Sequence, residues 1–316
     1  MKCYLAPLEG ITTYIYRNAY HTYFYPMDKY FTPFFVPHQK KGFAQKEINE
    51  LLPEHNAGMN VIPQILTNKA EDFLHTAGKM QQFGYREVNL NLGCPSKTVV
   101  SKNKGSGFLA FPEELDRFLY EIFSKSTVKI SIKTRLGKLD PEEFSHLMTI
   151  FNQYPLEELI IHPRVQTDYY KNKPHLQVYK DNAPKSLNPV CYNGDIFTLA
   201  DYQELCREIP ETETVMIGRG ILINPGLAGE IHGCGKADKQ MLQEFHNRIY
   251  YDYQELYHDD KSVLFKMKEL WGYEIKMFAN SAKYAKRIRK AQKAAEYLDA
   301  VKALFHDQEL LETYTS

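Results

Sequence analysis

Apolar residues along this chain fall into short, dense runs separated by longer stretches of helical spacing. The runs are "KCYLAPL" from Lys2, "YFTPFF" from Tyr30, "VIPQIL" from Val61, "EVNLNLG" from Glu87, "VKISIKT" from Val128, "ELIIHPR" from Glu158, "PVCYNGD" from Pro189 and "TVMIGRG" from Thr214. Each is bulky, often β-branched and only a few residues long, as expected of strands buried on both faces of a parallel sheet. Between them, "NKAEDFLHTAGKMQQF" from Asn68, "FPEELDRFLYEIFSKS" from Phe111 and "TLADYQELCREI" from Thr198 carry apolar residues at the spacing of amphipathic helices. Eight strand candidates alternating with helices predict an α/β fold of the (β/α)8 TIM-barrel type. The competing architecture is an open doubly wound sheet. No GxGxxG follows the first run, which counts against it.

The pattern changes near "GEIHGCGKAD". From Lys239 onward no strand signal remains. "DKQMLQEFHNRIYYDYQELY" puts Met241, Leu242, Phe245, Ile249, Tyr253 and Leu256 on one helical stripe, with Asp238 placed to cap it. We therefore expect a catalytic barrel over residues 1–238 and an all-helical domain over 239–316.

Composition narrows the function classes. Among 316 residues, 43% are hydrophobic and 25% charged, ordinary values for a folded domain. Lys+Arg and Asp+Glu both number 39, so overall charge selects neither a nucleic acid nor a membrane, and only local clustering can. The five cysteines, Cys3, Cys94, Cys191, Cys206 and Cys234, are scattered without a CxxC pair. That argues against a disulfide framework and a zinc site, no metal is expected, and a reducing compartment fits. No apolar run approaches the ~18–20 residues of a helical membrane span, and Pro7 interrupts the N-terminus before a signal-length core. The expectation is a soluble, unprocessed, cytoplasmic monomer with no membrane or obligate protein partner.

In a barrel of this kind the chemistry sits at the C-terminal mouth of the strands. Polar residues follow nearly every strand candidate: "APLEG" after the first, Gln64 in the third, Asn89, Asn91 and Cys94 after the fourth, Lys133 and Arg135 on the fifth. His162 and Arg164 belong to the sixth, Asn193 to Asp195 to the seventh, and Gly218 to Gly220 to the eighth. Each has a bland reading alone: a satisfied amide, a snorkelling lysine, a buried thiol, a tight turn. Together they sort by chemistry. Backbone N–H groups around Gly194 and Gly218–Gly220, with Arg219, suit a phosphate. Gln64 can donate and accept, which suits the amide edge of a flavin or a nucleobase. Lys133 can hold positive charge beside a ring that becomes anionic on reduction. Cys94 is the obvious reactive group. No Ser-His-Asp order or HExxH occurs.

"APLEGIT", "NLGCPSKTVV…KGSGFL", "KTRLG", "IHPR", "YNGDI" and "IGRG…NP" resemble, in order and spacing, the tRNA-dihydrouridine synthase family over nearly the whole chain. The resemblance implies an FMN enzyme, re-reduced by NADPH or NADH, that saturates the C5–C6 bond of particular uridines in tRNA. By similarity, Pro7, Leu8 and Glu9 line the flavin, Gln64 and Lys133 contact its ring, and His162 approaches the ring or ribityl chain. Asn193, Gly194, Asp195, Gly218 and Arg219 hold ribityl and phosphate. Cys94 donates the proton, and Asn91 and Arg135 contact the uracil or flavin edge. The chain departs from the family after the sixth strand, where His-x-Arg-Thr and a Tyr-x-Gly turn are usual. Here "HPRVQTDYYKNKPHL" carries Val165 and Asn172, and Asn tolerates a left-handed turn.

On this reading hydride reaches uracil C6 and a thiol, ordinarily titrating near ~8.5, protonates C5 from the opposite face. The loop from Ser96 to Gly107, including Lys97, has the lysines and glycines of a mobile lid that touches phosphates. From Ile275 to Ala295 there is no acidic residue. Lys276, Lys283, Lys286, Arg287, Arg289 and Lys290 form a basic stripe there, with Trp271, Tyr273, Phe278 and Tyr284 in or beside it. That combination suits RNA backbone and bases. A flavin ene-reductase or dihydropyrimidine-type enzyme acting on a small molecule, and a non-catalytic tRNA-binding protein, are the alternatives. The basic tail counts against the first and Cys94 with the flavin set against the second.

Overall fold

The computed structural model describes residues 1–38 and 42–314. Among these, eight parallel strands pair in chain order and close into a barrel. They are β1 (Lys2–Leu5), β2 (Lys29–Phe35), β3 (Val61–Ile65), β4 (Glu87–Leu92), β5 (Lys129–Gly137), β6 (Leu159–Val165), β7 (Val190–Tyr192) and β8 (Thr214–Ile217). Every one falls within or across a short apolar run of the sequence. β3, β4, β6 and β8 are buried along their whole length, the reason these runs read as continuous rather than alternating.

The helices, in chain order, are α1 (Tyr14–Tyr23), α2 (Gln45–Leu51), α3 (Ala70–Gln82), α4 (Lys97–Val100), α5 (Pro112–Lys125), α6 (Glu143–Phe151) and α7 (Leu176–Asn182). They continue with α8 (Leu199–Glu208), α9 (Arg219–Ile223), α10 (Leu227–Ile231), α11 (Lys239–Tyr257), α12 (Asp260–Glu274), α13 (Ala282–Lys290) and α14 (Ala294–Asp307). The chain divides into two compact units. The first comprises 1–7, 29–195 and 209–216, and the second 8–28, 196–208 and 217–316, of which 315–316 lie outside the described residues. α1 and α8–α10 thus group with the four C-terminal helices, ahead of residue 238 in the chain.

In the first unit, polar groups fill the barrel's N-terminal base. Tyr4 donates its hydroxyl to Glu158 Oε1 at 3.0 Å, and Lys29 Nζ meets Glu87 Oε2 at 3.0 Å and Glu158 Oε2 at 3.6 Å. Tyr4 on β1 reaches Glu158, the residue before β6, and Lys29 on β2 reaches Glu87 on β4, so these contacts link strands that are not neighbours. Burial alone would lower the Lys29 ammonium, but Glu87 and Glu158 outweigh it and raise it.

In the second unit, Asp238 Oδ1 accepts the Met241 N–H at 2.8 Å and caps α11 as its sequence predicts. Leu242, Phe245, Ile249 and Tyr253 are buried, while Met241 and Leu256, at the ends of the predicted stripe, are each 37% exposed. α1 lies against this face, with Tyr16 edge-on to Phe245 at 5.5 Å and Thr13 hydrogen-bonded to Tyr253 at 3.0 Å. Trp271 Nε1 donates to Tyr297 Oη at 2.8 Å, and Tyr297 Oη donates to His246 Nε2 at 2.7 Å. Burial lowers His246 to about 4, which keeps it neutral and able to accept. An antiparallel bridge, Phe278 to Leu310, ties the C-terminal tail to this helical core.

Candidate active site

The mouth of the barrel is assembled from the ends of β3 to β7. Asn89 and Asn91 on β4 sit opposite Ser131 and Lys133 on β5, and Gln64 on β3 sits opposite Asn89. Side chains at alternate positions share one face of the sheet, so these polar groups meet. Asn91 Nδ2 donates to Gln64 Oε1 at 2.7 Å, Gln64 Nε2 to Asn89 Oδ1 at 2.8 Å, and Asn89 Nδ2 to Ser131 Oγ at 3.0 Å. Gln64 is fully buried, with one N–H and one lone pair left over.

This amide chain ends at Cys94. Asn91 Oδ1 accepts the backbone N–H of Gly93 at 3.0 Å and of Cys94 at 2.9 Å. Two backbone donors at one atom require an oxygen there, which fixes the amide's orientation. The Cys94 carbonyl accepts from Ser106 N at 3.1 Å and Ser106 Oγ at 2.9 Å. Gly105 lies under the same turn with φ +56°, and a Cβ on it would stand 2.7 Å from Cys94 O and 2.9 Å from Val99 Cγ1. The stretch Gly105–Leu109 is buried. The glycine half of the loop read as a mobile lid is therefore a packed seat for Cys94, because glycine was needed for close approach rather than for freedom. Lys97, at the start of α4, is exposed.

Lys133 is half-buried, and its ammonium has no hydrogen-bond or ion-pair partner among the described residues. Burial first, then the Arg135 charge, lower it to about 8. Arg135 is fully buried and differently employed. Its Nε donates to Gly93 O at 3.0 Å, Nη1 to Val165 O at 2.8 Å and Nη2 to Tyr169 O at 2.8 Å, with Cζ 5.4 Å from the Tyr170 ring. It ties the Cys94 turn to the segment after β6.

Arg164, 1% exposed, grips Asp195 with two bonds of 2.8 and 2.5 Å and donates from Nε to Asn172 O at 2.7 Å. Its Nη1 also lies 3.0 Å from His162 Nε2. A guanidinium only donates, so Nε2 accepts and the ring proton sits on Nδ1. Asp168 accepts from Val165 N, Asn172 Nδ2 and His175 Nε2 at 3.0, 2.5 and 3.0 Å. Burial raises its carboxyl, but these hydrogen bonds outweigh burial and leave it below its ordinary value. The segment that departs from the family pattern is thus anchored through Asp168 and Asn172. The left-handed residue is Tyr169, at φ +50°, not Asn172. Asn193 Nδ2 donates to Met216 O at 2.8 Å, and a Cβ on Gly194 would strike the Tyr192 hydroxyl at 2.1 Å.

The remaining expected residues are placed as follows. Pro7 belongs to the first unit, Leu8 and Glu9 to the second. There the turn is held by Leu8 N to Thr12 Oγ1 at 2.8 Å and by Lys266 Nζ to Gly10 O at 2.7 Å, and Glu9 is exposed. Gly218 and Arg219 open α9, with the Arg219 guanidinium 5.0 Å over Phe197. Lys276, Lys283, Lys286, Arg287, Arg289 and Lys290 are exposed. Trp271, Phe278 and Tyr284 are buried at 4%, 4% and 1%, so they form core and offer no stacking face to RNA. Sequence reasoning gave no role to Arg164, Asp168, Ser106 or Tyr170. "IHPR" held a signal for the first, but the partners of the others are set by folding.

Among the described residues no helix is long and apolar enough to cross a membrane, and no group of three or more His, Cys, Asp or Glu is arranged to hold a metal. The chain is 26% identical over 321 residues to a probable tRNA-dihydrouridine synthase of Staphylococcus epidermidis, covering 98% of this chain and 92% of that protein. It is 26% identical over 243 residues to tRNA-dihydrouridine synthase B of Pasteurella multocida, covering 77% and 72%. With tRNA-dihydrouridine(16) synthase of Aquipseudomonas alcaligenes it shares 27% over 239 residues, covering 73% and 75%. Among solved structures, morphinone reductase in complex with tetrahydroNAD has a similar barrel, with a TM-score of 0.52 at 12% identity over 75% of this chain and 88% of that one. The family model for dihydrouridine synthase matches residues 4–314, and with that match the chain belongs to the dihydrouridine synthase family.

Proposed function

We propose that this protein is an FMN-dependent tRNA-dihydrouridine synthase, re-reduced by NADPH or NADH, in which Cys94 protonates C5 of an everted uridine. The observation that carries this reading is the pairing at the barrel mouth of a thiol held by its backbone with a half-buried cation, Lys133, that has no partner among the described residues. A buried unpaired charge is costly, and a ring that gains negative charge offsets that cost. The fit to a flavin rests on Lys133 and on the unused N–H and lone pair of Gln64.

When bound, FMN supplies the hydride that saturates the C5–C6 bond. The chain's own groups supply the rest. In the first unit Lys133 and Gln64 would face the ring, His162 would lie beside it, and the backbone around Asn193–Asp195 would meet the ribityl chain; in the second unit, the backbone at Gly218 and Arg219 offers donors of the kind a phosphate takes. Lys133 holds positive charge where electron density rises. Cys94 Sγ holds the proton destined for C5, and Asn91, Ser106 and Arg135 hold the turn that presents it. Asn91 and Arg135 act here by positioning, since their polar atoms are engaged within the protein. The uridine must leave its stack, at a cost of a few kcal/mol that backbone contacts offset. The exposed cations of α13, with Lys276 and Lys97, supply such contacts.

Mapping dihydrouridine in tRNA from cells with and without the gene tests the activity, and an unchanged map would overturn it. In the purified protein, Cys94→Ala should keep flavin absorbance while reduction of unmodified tRNA by pre-reduced enzyme slows ~10²–10⁴-fold. Full turnover in that variant removes Cys94 from the reaction.

A further inference from the structure

The cations of α13 do not form one uniform stripe. At ~100° per residue, Lys283, Lys286, Arg287 and Lys290 fall on one side of the helix, opposite buried Tyr284 and Ile288, and Arg289 lies roughly a third of a turn away. These four line a shallow groove of about 470 Å³ whose opposite wall is Glu296 and Asp299 of α14. From Lys283 to Lys290 the helix rises ~10 Å, enough to track about two phosphates of one strand.

One of the four is already occupied. Arg287 Nη2 donates to Asp299 Oδ2 at 2.6 Å, with the two side chains 48% and 74% exposed. Lys286 and Lys290 have no ion-pair partner among the described residues. An exposed pair of this kind is only weakly favourable, because both ends are solvated, so Arg287 can be exchanged to another anion at little cost. A phosphodiester offers that anion, and Arg suits its planar bidentate geometry.

We propose that Asp299 stands in for an RNA phosphate: it holds Arg287 in the unbound protein and yields it when a tRNA backbone lies between α13 and α14. This rests on the tRNA reading above and adds to it. The carboxylate repels any anion that enters the groove loosely, so only a backbone seated close enough to take Arg287 recovers the contact. The device lowers affinity for incidental RNA and favours the correctly seated substrate.

The test is a double-mutant cycle on the full-length protein, with binding of an unmodified tRNA transcript measured across a KCl series. Asp299→Asn should tighten binding ~2–5-fold and Arg287→Gln should weaken it by a similar factor. In the Arg287→Gln background, Asp299→Asn should lose at least half of its gain. An equal gain in both backgrounds, or no gain in either, overturns the role of Asp299. Lys286→Gln with Lys290→Gln serves as the control. If that pair leaves both affinity and salt slope unchanged while wild-type protein binds the transcript, RNA does not use this groove and the stand-in falls; only a wild-type protein that binds no tRNA counts against the tRNA reading itself. If the pair weakens binding while Asp299→Asn does nothing, only the stand-in falls.

Discussion

Asn91 Oδ1 accepts the backbone N–H of Cys94 at 2.9 Å while the same amide donates to Gln64 at 2.7 Å. One side chain therefore couples the thiol's turn to the barrel wall. Asn91→Ala should free two part-buried donors and loosen the turn, reducing turnover ~10–10²-fold with flavin content largely kept. Asn91→Asp keeps the acceptor oxygen for the turn and loses the donor to Gln64, so it should retain more activity than the alanine variant. Single-turnover rates with pre-reduced enzyme distinguish them. Equal losses would mean that the turn does not depend on this oxygen.

Lys133 makes a prediction about the flavin-free protein. Its amine is lowered to about 8, so the folded state binds that proton less tightly than the unfolded chain. Stability should therefore rise with pH from about 8 to the ordinary lysine value of 10.5. Lys133→Met should stabilise flavin-free protein at pH 7 by about 1–2 kcal/mol and remove that rise, while weakening flavin retention. Denaturant unfolding at several pH values reads the first effect and flavin absorbance the second.

Tyr169 is a non-glycine residue at φ +50° and ψ −101°, held by the Arg135 bond to its carbonyl. Such a conformation costs about 1–3 kcal/mol, which glycine would avoid. Tyr169→Gly should raise thermal stability without loss of flavin. A fall in melting temperature would show that the Tyr169 ring contributes more by packing than its backbone costs.

Glu274 lies buried in the second unit, its Oε1 without a hydrogen-bond partner, and burial raises it to about 8 from 4.5. The folded state binds the proton more tightly than the unfolded chain, so stability is fullest below pH 4.5 and falls as pH rises through about 8. Glu274→Gln should abolish this component, gaining on the order of 3 kcal/mol over wild type at pH 9 and little at pH 5. A constant difference between the two proteins across that range would place the proton elsewhere.

The strands were legible because a buried parallel sheet writes short apolar runs into the sequence, and the mouth was legible because polar residues end those runs. How the polar residues are used was not. Gln64, Asn91 and Arg135 all read as contacts for a ligand, yet the chain itself engages most of their hydrogen-bonding atoms, in part through partners 25 to 42 residues away. A one-dimensional pattern shows what a side chain can donate but not whether another strand has taken it. Arg164 and Asp195 pair across 31 residues for the same reason. The buried aromatics did leave a signal: Tyr284, Ile288 and Ala291 follow helical spacing, and that stripe marks core more simply than it marks a stacking surface.

The ionic plug formed by Tyr4, Lys29, Glu87 and Glu158 closes the barrel floor. With these contacts crossing the floor, the rim is the expected route in and out, and electron donor and nucleic acid are expected to use it in turn. Turnover should alternate between them, with double-reciprocal plots running parallel when the two concentrations are varied. Intersecting lines would reveal a second doorway.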